Sequence, residues 1–584
     1  MSPVPLTAGL LASWAALTPS LVPRRWWMTA ASVAAASALA SGAAQAVGAG
    51  VRAVPGLLGR SRPAPVRDER GPRPGLRSTA GAGVLGASAV GIGVSLARSA
   101  REQSDVARVT GVGDAGDAGD GDRIHHLAGY GAGLIGWAVL DATGRVSRRL
   151  RARIGTRLRQ RLPIVPPVIV TGALVVVTVR IYGWVLSRVL ARADTNAVIR
   201  SFATLGAGPG PVEPERSGSR SSAEPFATMG LHGRDFVTGG PRRDRIAEVL
   251  RTTRRAGEAR EPIRVFVGRL GHPDPKEAAA AAVAELERTG AFERRAILMV
   301  TGTGSGWVPP WSTAAFEHLM GGDCAVVSAQ YSFAGSWLAF LIHRGPAREI
   351  ARAVHRAVRA RLRALPPERR PLLYAAGESL GAFGGHGAFR SAGAMLRGLD
   401  GAVWTGTPRT TGILAHVLRD RRHGSTEVRP VYGTGRHIRV VTRPEDLGRA
   451  PEEFAYSSWG SPRIVYAQHP SDPVVWWGPA LLLRRPDWLR EPRGFDVAPG
   501  VRWRPFATFW QLTADMPRSV ELPGGHGHSY HAETVHYWNA VLRTGLTDAQ
   551  CDAIGRAIGE DLAPSTGALP LTDTGARLRR GAGG

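Results

Sequence analysis

Residues 374–387 read YAAGESLGAFGGHG, and the fold turns on whether Ser379, at the centre of the G-x-S-x-G of Gly377–Gly381, sits between a strand and a helix. With 74 glycines among 584 residues, the five letters alone carry little weight. Their setting carries more. LLYAA (372–376) is a short apolar run of strand character, and the small residues of 380–396 suit a helix. A sharp turn between the two lifts a serine hydroxyl clear of the backbone and sets it at a helix N-terminus, where peptide dipoles favour negative charge. Gly377 and Gly381 are then the positions without side chains where strand and helix converge.

Working outward, the same alternation repeats. PIRVFVGRL (262–270), RAILMVT (295–301), CAVVSAQYS (324–332), GAVWTG (401–406), RIVYAQ (463–468) and FATFWQL (506–512) read as strands. KEAAAAAVAELERTG (276–290), TAAFEHLM (313–320) and REIARAVHRAVRARLRAL (348–365) read as helices between them. Apolar strands alternating with helices predict a mostly parallel sheet with helices on both faces, and such sheets place their sites at the carboxyl ends of strands.

A serine nucleophile needs an acid and a histidine, each after a later strand. In RIVYAQHPSDPVVWW (463–477), Asp472 lies on the loop leaving a strand; Asp515 competes, and Asp400 precedes its strand and fits worse. The glycine-rich loop PGGHGHSYH (523–531) offers His526, His528 and His531, of which His528 is preferred as the base and His526 is close behind. The oxyanion of acyl transfer needs two backbone N–H groups. Leu380 supplies one, and the turn TGTGSGW (301–307), through Gly302, Thr303 or Gly304, is expected to supply the other. That turn lacks the lysine of a phosphate-binding loop. Trp307 and Trp476, near these loops, are candidates for lining an acyl pocket, although core packing is the commoner use of a tryptophan.

With these residues in place, the chain resembles the α/β-hydrolase superfamily, and more narrowly the actinobacterial membrane-anchored α/β-hydrolases with a multi-span N-terminal domain. The stretches that carry the resemblance are LTPSLVPR (17–24), EPIRVFVG (261–268), ELERTGAF (285–292), TGTGSGW, QYSF (330–333), GESLGAFG, YAQHPSDPVVWW, RPDWL (485–489) and GHGHSY. The resemblance implies the fold and a serine hydrolase, and says little of the substrate.

The first third has a different character. Apolar stretches at Val4–Val22, Trp26–Leu57, Thr79–Ala97, Ile124–Leu140 and Leu162–Leu190 approach or exceed the roughly 20 residues that span a bilayer. About five transmembrane helices are therefore expected. Arg-rich stretches at 60–77 and 145–161, taken as cytoplasmic loops, put the chain after the fifth span outside the cytoplasm. The domains then run 1–195 for the membrane bundle, 196–229 for a Pro/Gly/Ser-rich flexible linker, 230–562 for the hydrolase and 563–584 for a disordered tail. Residues 407–460, which include Arg409, Arg421, Arg422, Arg429, Arg436 and Arg439, are read as a lid.

Composition removes other classes. The net charge of +27 is carried almost wholly by arginine, Lys276 being the only lysine, and no basic helix with interleaved aromatics suggests a nucleic-acid partner. Cys324 and Cys551 lack metal-ligand spacing, no metal site is read from the histidine loop, and no cofactor is expected. The expected partners are a lipid bilayer and an acyl ester or lipid substrate. The competing class is a non-catalytic membrane scaffold or transport accessory whose hydrolase-like domain binds ligand only.

Overall fold

The computed structural model describes residues 3–57, 101–112, 120–161, 209–255, 257–333 and 344–563, with scattered positions in 94–99 and 169–188. The chain divides into two compact units, each built from two stretches: 193–469 with 529–584, and 1–192 with 470–528. In chain order come helices α1 (Pro3–Ala16), α2 (Trp26–Leu57), α3 (Asp120–Arg161), α4 (Pro275–Arg288), α5 (Pro310–Leu319), α6 (Gly345–Arg363), α7 (Leu380–Gly385), α8 (Ala507–Ser519), α9 (Glu533–Leu542) and α10 (Asp548–Leu562).

The first unit holds a seven-stranded sheet in the order β1-β3-β2-β4-β5-β7-β6. Its strands are β1 (Ile263–Val267), β2 (Ala296–Thr301), β3 (Cys324–Ala329), β4 (Leu372–Glu378), β5 (Gly401–Thr405), β6 (Ile438–Val441) and β7 (Arg463–Ala467). Every neighbouring pair is parallel, and β4 is central with three strands on either side. Alternation along the strands sorts the two faces. Leu298, Tyr374 and Val403 join Phe316 of α5 and Trp538 of α9 in one core. Met299, Ala375 and Trp404 line a small cavity with Ile350, Ala351 and Val354 of α6. A sheet covered on both faces explains why its strands read as apolar runs.

Three expectations are revised. FATFWQL is not a strand: it forms the first half of α8. The span 407–460, read as a lid, contributes the edge strand β6. Of the Pro/Gly/Ser-rich stretch, residues 209–229 are described and lie along β1, with the Ser217 N–H donating to Arg264 O at 3.0 Å. There the buried Arg216 guanidinium bonds Glu261 and the carbonyls of Val237, Gly239 and Pro241.

The second unit packs α1 on α2, α2 on α3, and α8 against both α1 and α2. Small residues make the close approach possible. A methyl at Gly9 would meet the Trp137 ring at 2.1 Å, and one at Gly133 would meet Val33 at 2.7 Å. Ala12, Ala16, Val33, Ala36, Ala40, Tyr130 and Ala507 form the core, and Ser13 Oγ bonds Tyr130 OH at 3.0 Å.

The five-span expectation is not supported. Among the described residues one helix, across Trp26–Val51, is long and apolar enough to cross a membrane, while Val4–Ala16 is shorter. The stretch 145–161, taken for an inter-span loop, is the second half of α3, whose arginines exclude it from any span. The proposed spans at Thr79–Ala97 and Leu162–Leu190, most of the linker before 209, and the tail after 563 lie largely outside the described residues.

Candidate active site

Ser379 stands where β4 ends and α7 begins, with φ 57° and ψ −122°. A serine does not adopt that conformation without cost, about 1–3 kcal/mol, and it persists because the surroundings hold it. Its N–H extends the sheet ladder to Thr405 O at 3.1 Å, and its carbonyl accepts the Phe383 N–H at 3.0 Å, closing the first helical turn. Both flanking glycines are sterically required. A methyl at Gly377 would lie 2.7 Å from Ala382 N, and one at Gly381 would lie 2.2 Å from Thr301 O. The motif is therefore a true strand–turn–helix elbow, with the Leu380 N–H at the N-terminus of α7.

The same clash distance puts the elbow against the turn after β2. Within that turn the Thr303 N–H donates to Trp307 O at 2.8 Å, so Thr303 is already committed. The Gly304 N–H faces the Tyr331 hydroxyl, and Gly302 and Gly304 stay as candidate donors beside it. Trp307, partly buried, accepts that bond through its backbone carbonyl and so closes the turn. Behind α7, His386 lies buried with Nε2 2.7 Å from Tyr466 OH, and a methyl at Gly385 would touch the Trp404 ring at 2.6 Å. Burial pushes the His386 pKa down to about 4, so it is neutral at pH 7 and serves as packing beneath the helix.

In the second unit, Asp472 is fully buried. Its Oδ1 accepts the Val474 N–H at 2.8 Å, and its Oδ2 lies 2.7 Å from Nδ1 of His528, itself buried. A carboxylate only accepts, so Nδ1 carries the proton, and in the neutral ring Nε2 is then the basic nitrogen, the tautomer a general base needs. His526 has a different partner. Its Nδ1 lies 3.3 Å from Oδ2 of the buried Asp496, and the same oxygen accepts the Ser471 hydroxyl at 2.5 Å. Ser471 Oγ in turn accepts the Gly527 N–H at 2.8 Å. Residues next to the acid and next to His528 are thus bridged by one buried hydroxyl. Sequence reading missed Ser471, overshadowed by the neighbouring acid Asp472 on the loop after β7, and it missed Asp496, which follows no strand and carries no motif.

The remaining candidates have structural uses. Asp515 is fully buried and accepts the Leu21 N–H at 3.2 Å, so it holds the N-terminal turn. Asp400 accepts the Leu373 N–H at 2.7 Å at the start of β4. Trp476, proposed for substrate, is fully buried, stacks on Trp488 with centroids 5.4 Å apart and donates to Pro470 O; it packs the core. His531 stacks on Trp311, and burial lowers its pKa. Cys324 and Cys551 are buried free thiols.

Comparison with known families agrees with this geometry. Residues 263–554, half of the chain, match the model of the alpha/beta-hydrolase family, and residues 17–241 match that of the alpha/beta-hydrolase family N-terminus. No curated protein and no solved structure matches. The parallel sheet, the elbow on its central strand and the family match over both regions agree: the chain belongs to the α/β-hydrolase family, with a distinct N-terminal region.

Proposed function

We propose that this protein is a serine hydrolase of the esterase, lipase or acyltransferase type, with Ser379 as nucleophile, His528 as base and Asp472 as the acid that orients it. The observation that carries the reading is the strained elbow at Ser379, held by two glycines that no other residue can replace. The Asp472–His528 bond supports it, because it selects the neutral tautomer whose outer nitrogen is the base. Ser379 Oγ attacks an acyl carbonyl carbon while its proton passes to His528 Nε2. The carbonyl electron pair collects on oxygen, where Leu380 N–H and a donor of the Gly302–Gly304 turn stabilise it. As the intermediate collapses, the C–O bond to the leaving alcohol breaks and His528 returns the proton to that oxygen. Water or an acceptor alcohol then resolves the acyl-enzyme by the same steps.

The substrate class we propose is the acyl esters of membrane or cell-envelope lipids, because α2 offers a membrane anchor on the same chain. Taken alone, α2 with the arginine-rich 60–77 after it leaves the chain that follows in the cytoplasm. An extracytoplasmic hydrolase therefore requires an odd number of further crossings between 78 and 208, and a topology reporter fused after Gly210 decides the side. Fluorophosphonate labelling of membranes tests the chemistry: wild type is expected to label, and Ser379→Ala and His528→Ala are not. Labelling that survives in Ser379→Ala overturns the assignment.

A further inference from the structure

The acid and the base sit in the compact unit built from the N-terminal helices, and α8 is the element common to both. Its buried side chains include Gln511, Asp515 and Ser519, polar groups spaced four residues apart along one face. Each is committed to a bond. Gln511 Nε2 donates to the carbonyls of Ala16 and Thr18 at 3.3 and 3.0 Å, taking up acceptors left free where α1 ends. Asp515 Oδ2 accepts the Leu21 N–H, and its other oxygen lies 3.9 Å from Nε of the buried Arg24. Arg24 is itself tied back, with its guanidinium on Ala16 O at 2.8 Å and its N–H on Gln103 Oε1 at 2.9 Å.

The other end of α8 belongs to the acid and base. Ser519 O accepts the His528 N–H at 2.9 Å, and a methyl on Gly527 would fall 2.7 Å from that same carbonyl. The histidine loop is therefore pressed onto the last turn of α8. On the acid side, Thr513 Oγ1 of α8 accepts the Trp477 Nε1–H at 2.8 Å, five residues after Asp472. Asp515 and Ser519 are one helical turn apart, roughly 6 Å along the axis, with Pro517 between them in the same helix.

We propose that the turn Leu17–Arg25 is a working part of the hydrolase: gripped by Gln511 and Asp515, it fixes α8 and thereby the position of His528. Gln511 and Asp515 are positioning residues for the base, and the N-terminal region does more than tether. This inference rests on the reading of His528 as the base.

The test uses the full chain in membranes and follows the rate of fluorophosphonate labelling against pH, scaled to the fraction finally labelled. Asp515→Ala removes the acceptor for Leu21, whereas Asp515→Asn keeps one acceptor oxygen. Gln511→Ala is a milder variant, should Asp515→Ala fail to accumulate. Ser312→Ala, which removes a buried bond from Trp538 of the sheet unit, is the control for lost stability alone. Asp515→Ala is expected to label to completion but about ten- to a hundredfold more slowly, the penalty of a misplaced catalytic group. Its pH midpoint is expected to shift, Gln511→Ala to follow in the same direction, and Asp515→Asn to recover most of the rate. Ser312→Ala is expected to alter the amount of protein and neither rate nor midpoint. A wild-type rate and midpoint in both Asp515→Ala and Gln511→Ala overturn the inference while the hydrolase reading stands. Wild type that does not label overturns that reading, and the inference with it.

Discussion

The Nδ1 of His528 lies 2.7 Å from Oδ2 of Asp472, and both side chains are buried. The carboxylate fixes which nitrogen holds the proton, so its charge matters more than its bulk. Asp472→Asn keeps the size and turns the amide toward the wrong tautomer. It is expected to lower kcat on an acyl ester by on the order of 10³–10⁴ with KM little changed, as measured by steady-state kinetics on purified protein.

The two histidines of the GHGHSY loop are expected to separate cleanly. His528→Ala removes the base and is expected to lower kcat at least about a thousandfold. His526→Ala removes a bond to Asp496 from a partly exposed ring. It is expected to leave kcat within about a factor of five, the equivalent of one ordinary hydrogen bond. Equal losses in the two variants would contradict the pairing.

Backbone strain at Ser379 predicts a trade between activity and stability. Glycine relaxes at φ 57° and ψ −122°, whereas alanine does not. Ser379→Gly is expected to be inactive yet more stable than Ser379→Ala by about 1 kcal/mol, read as a higher Tm. Gly381→Ala places a methyl 2.2 Å from Thr301 O and is expected to cost about 1–3 kcal/mol and disorder the elbow.

The buried hydroxyl of Ser471 bridges Asp496 and the Gly527 N–H. Ser471→Ala strands that N–H, at a cost of about 1–3 kcal/mol, and loosens the histidine loop. Proteolysis within 523–531 is expected to rise together with a fall in Tm.

Asp515 gives stability a pH dependence with a definite sign. Burial pushes its pKa up from 3.8 to about 6 although Arg24 opposes the shift. Between those values the folded chain holds a proton that the unfolded chain has released, so stability is greatest below the lower value and falls as pH rises through the upper one. Asp515→Asn is expected to remove up to about 3 kcal/mol of that slope between pH 4 and 6, measured by denaturant unfolding at each pH.

Much of the sheet is legible in the sequence because parallel strands buried on both faces are continuous apolar runs, as at Ile263–Val267 and Ala296–Thr301. The elbow is legible because only glycine can flank it. FATFWQL misleads for a physical reason. The buried face of α8 carries Thr508, Gln511, Asp515 and Ser519, so the helical apolar stripe is broken by polar groups that are hydrogen-bonded inside. The Ser471–Asp496 bridge is silent because its members lie 25 residues apart with no periodicity between them. Among the described residues hydropathy alone does not tell a bilayer-crossing helix from α1, whose 14 residues are too few to cross.

The buried bond from Leu21 to Asp515 also bears on where this protein can be cut. The stretch that matches the hydrolase family, 263–554, contains Ser379, Asp472 and His528, and reads like a self-sufficient module to clone. A soluble fragment starting there would keep all three side chains and discard what α8 leans on, leaving two buried polar side chains unmet. Such a fragment is a poor reagent for finding the substrate, and a negative screen with it would say nothing about the intact chain.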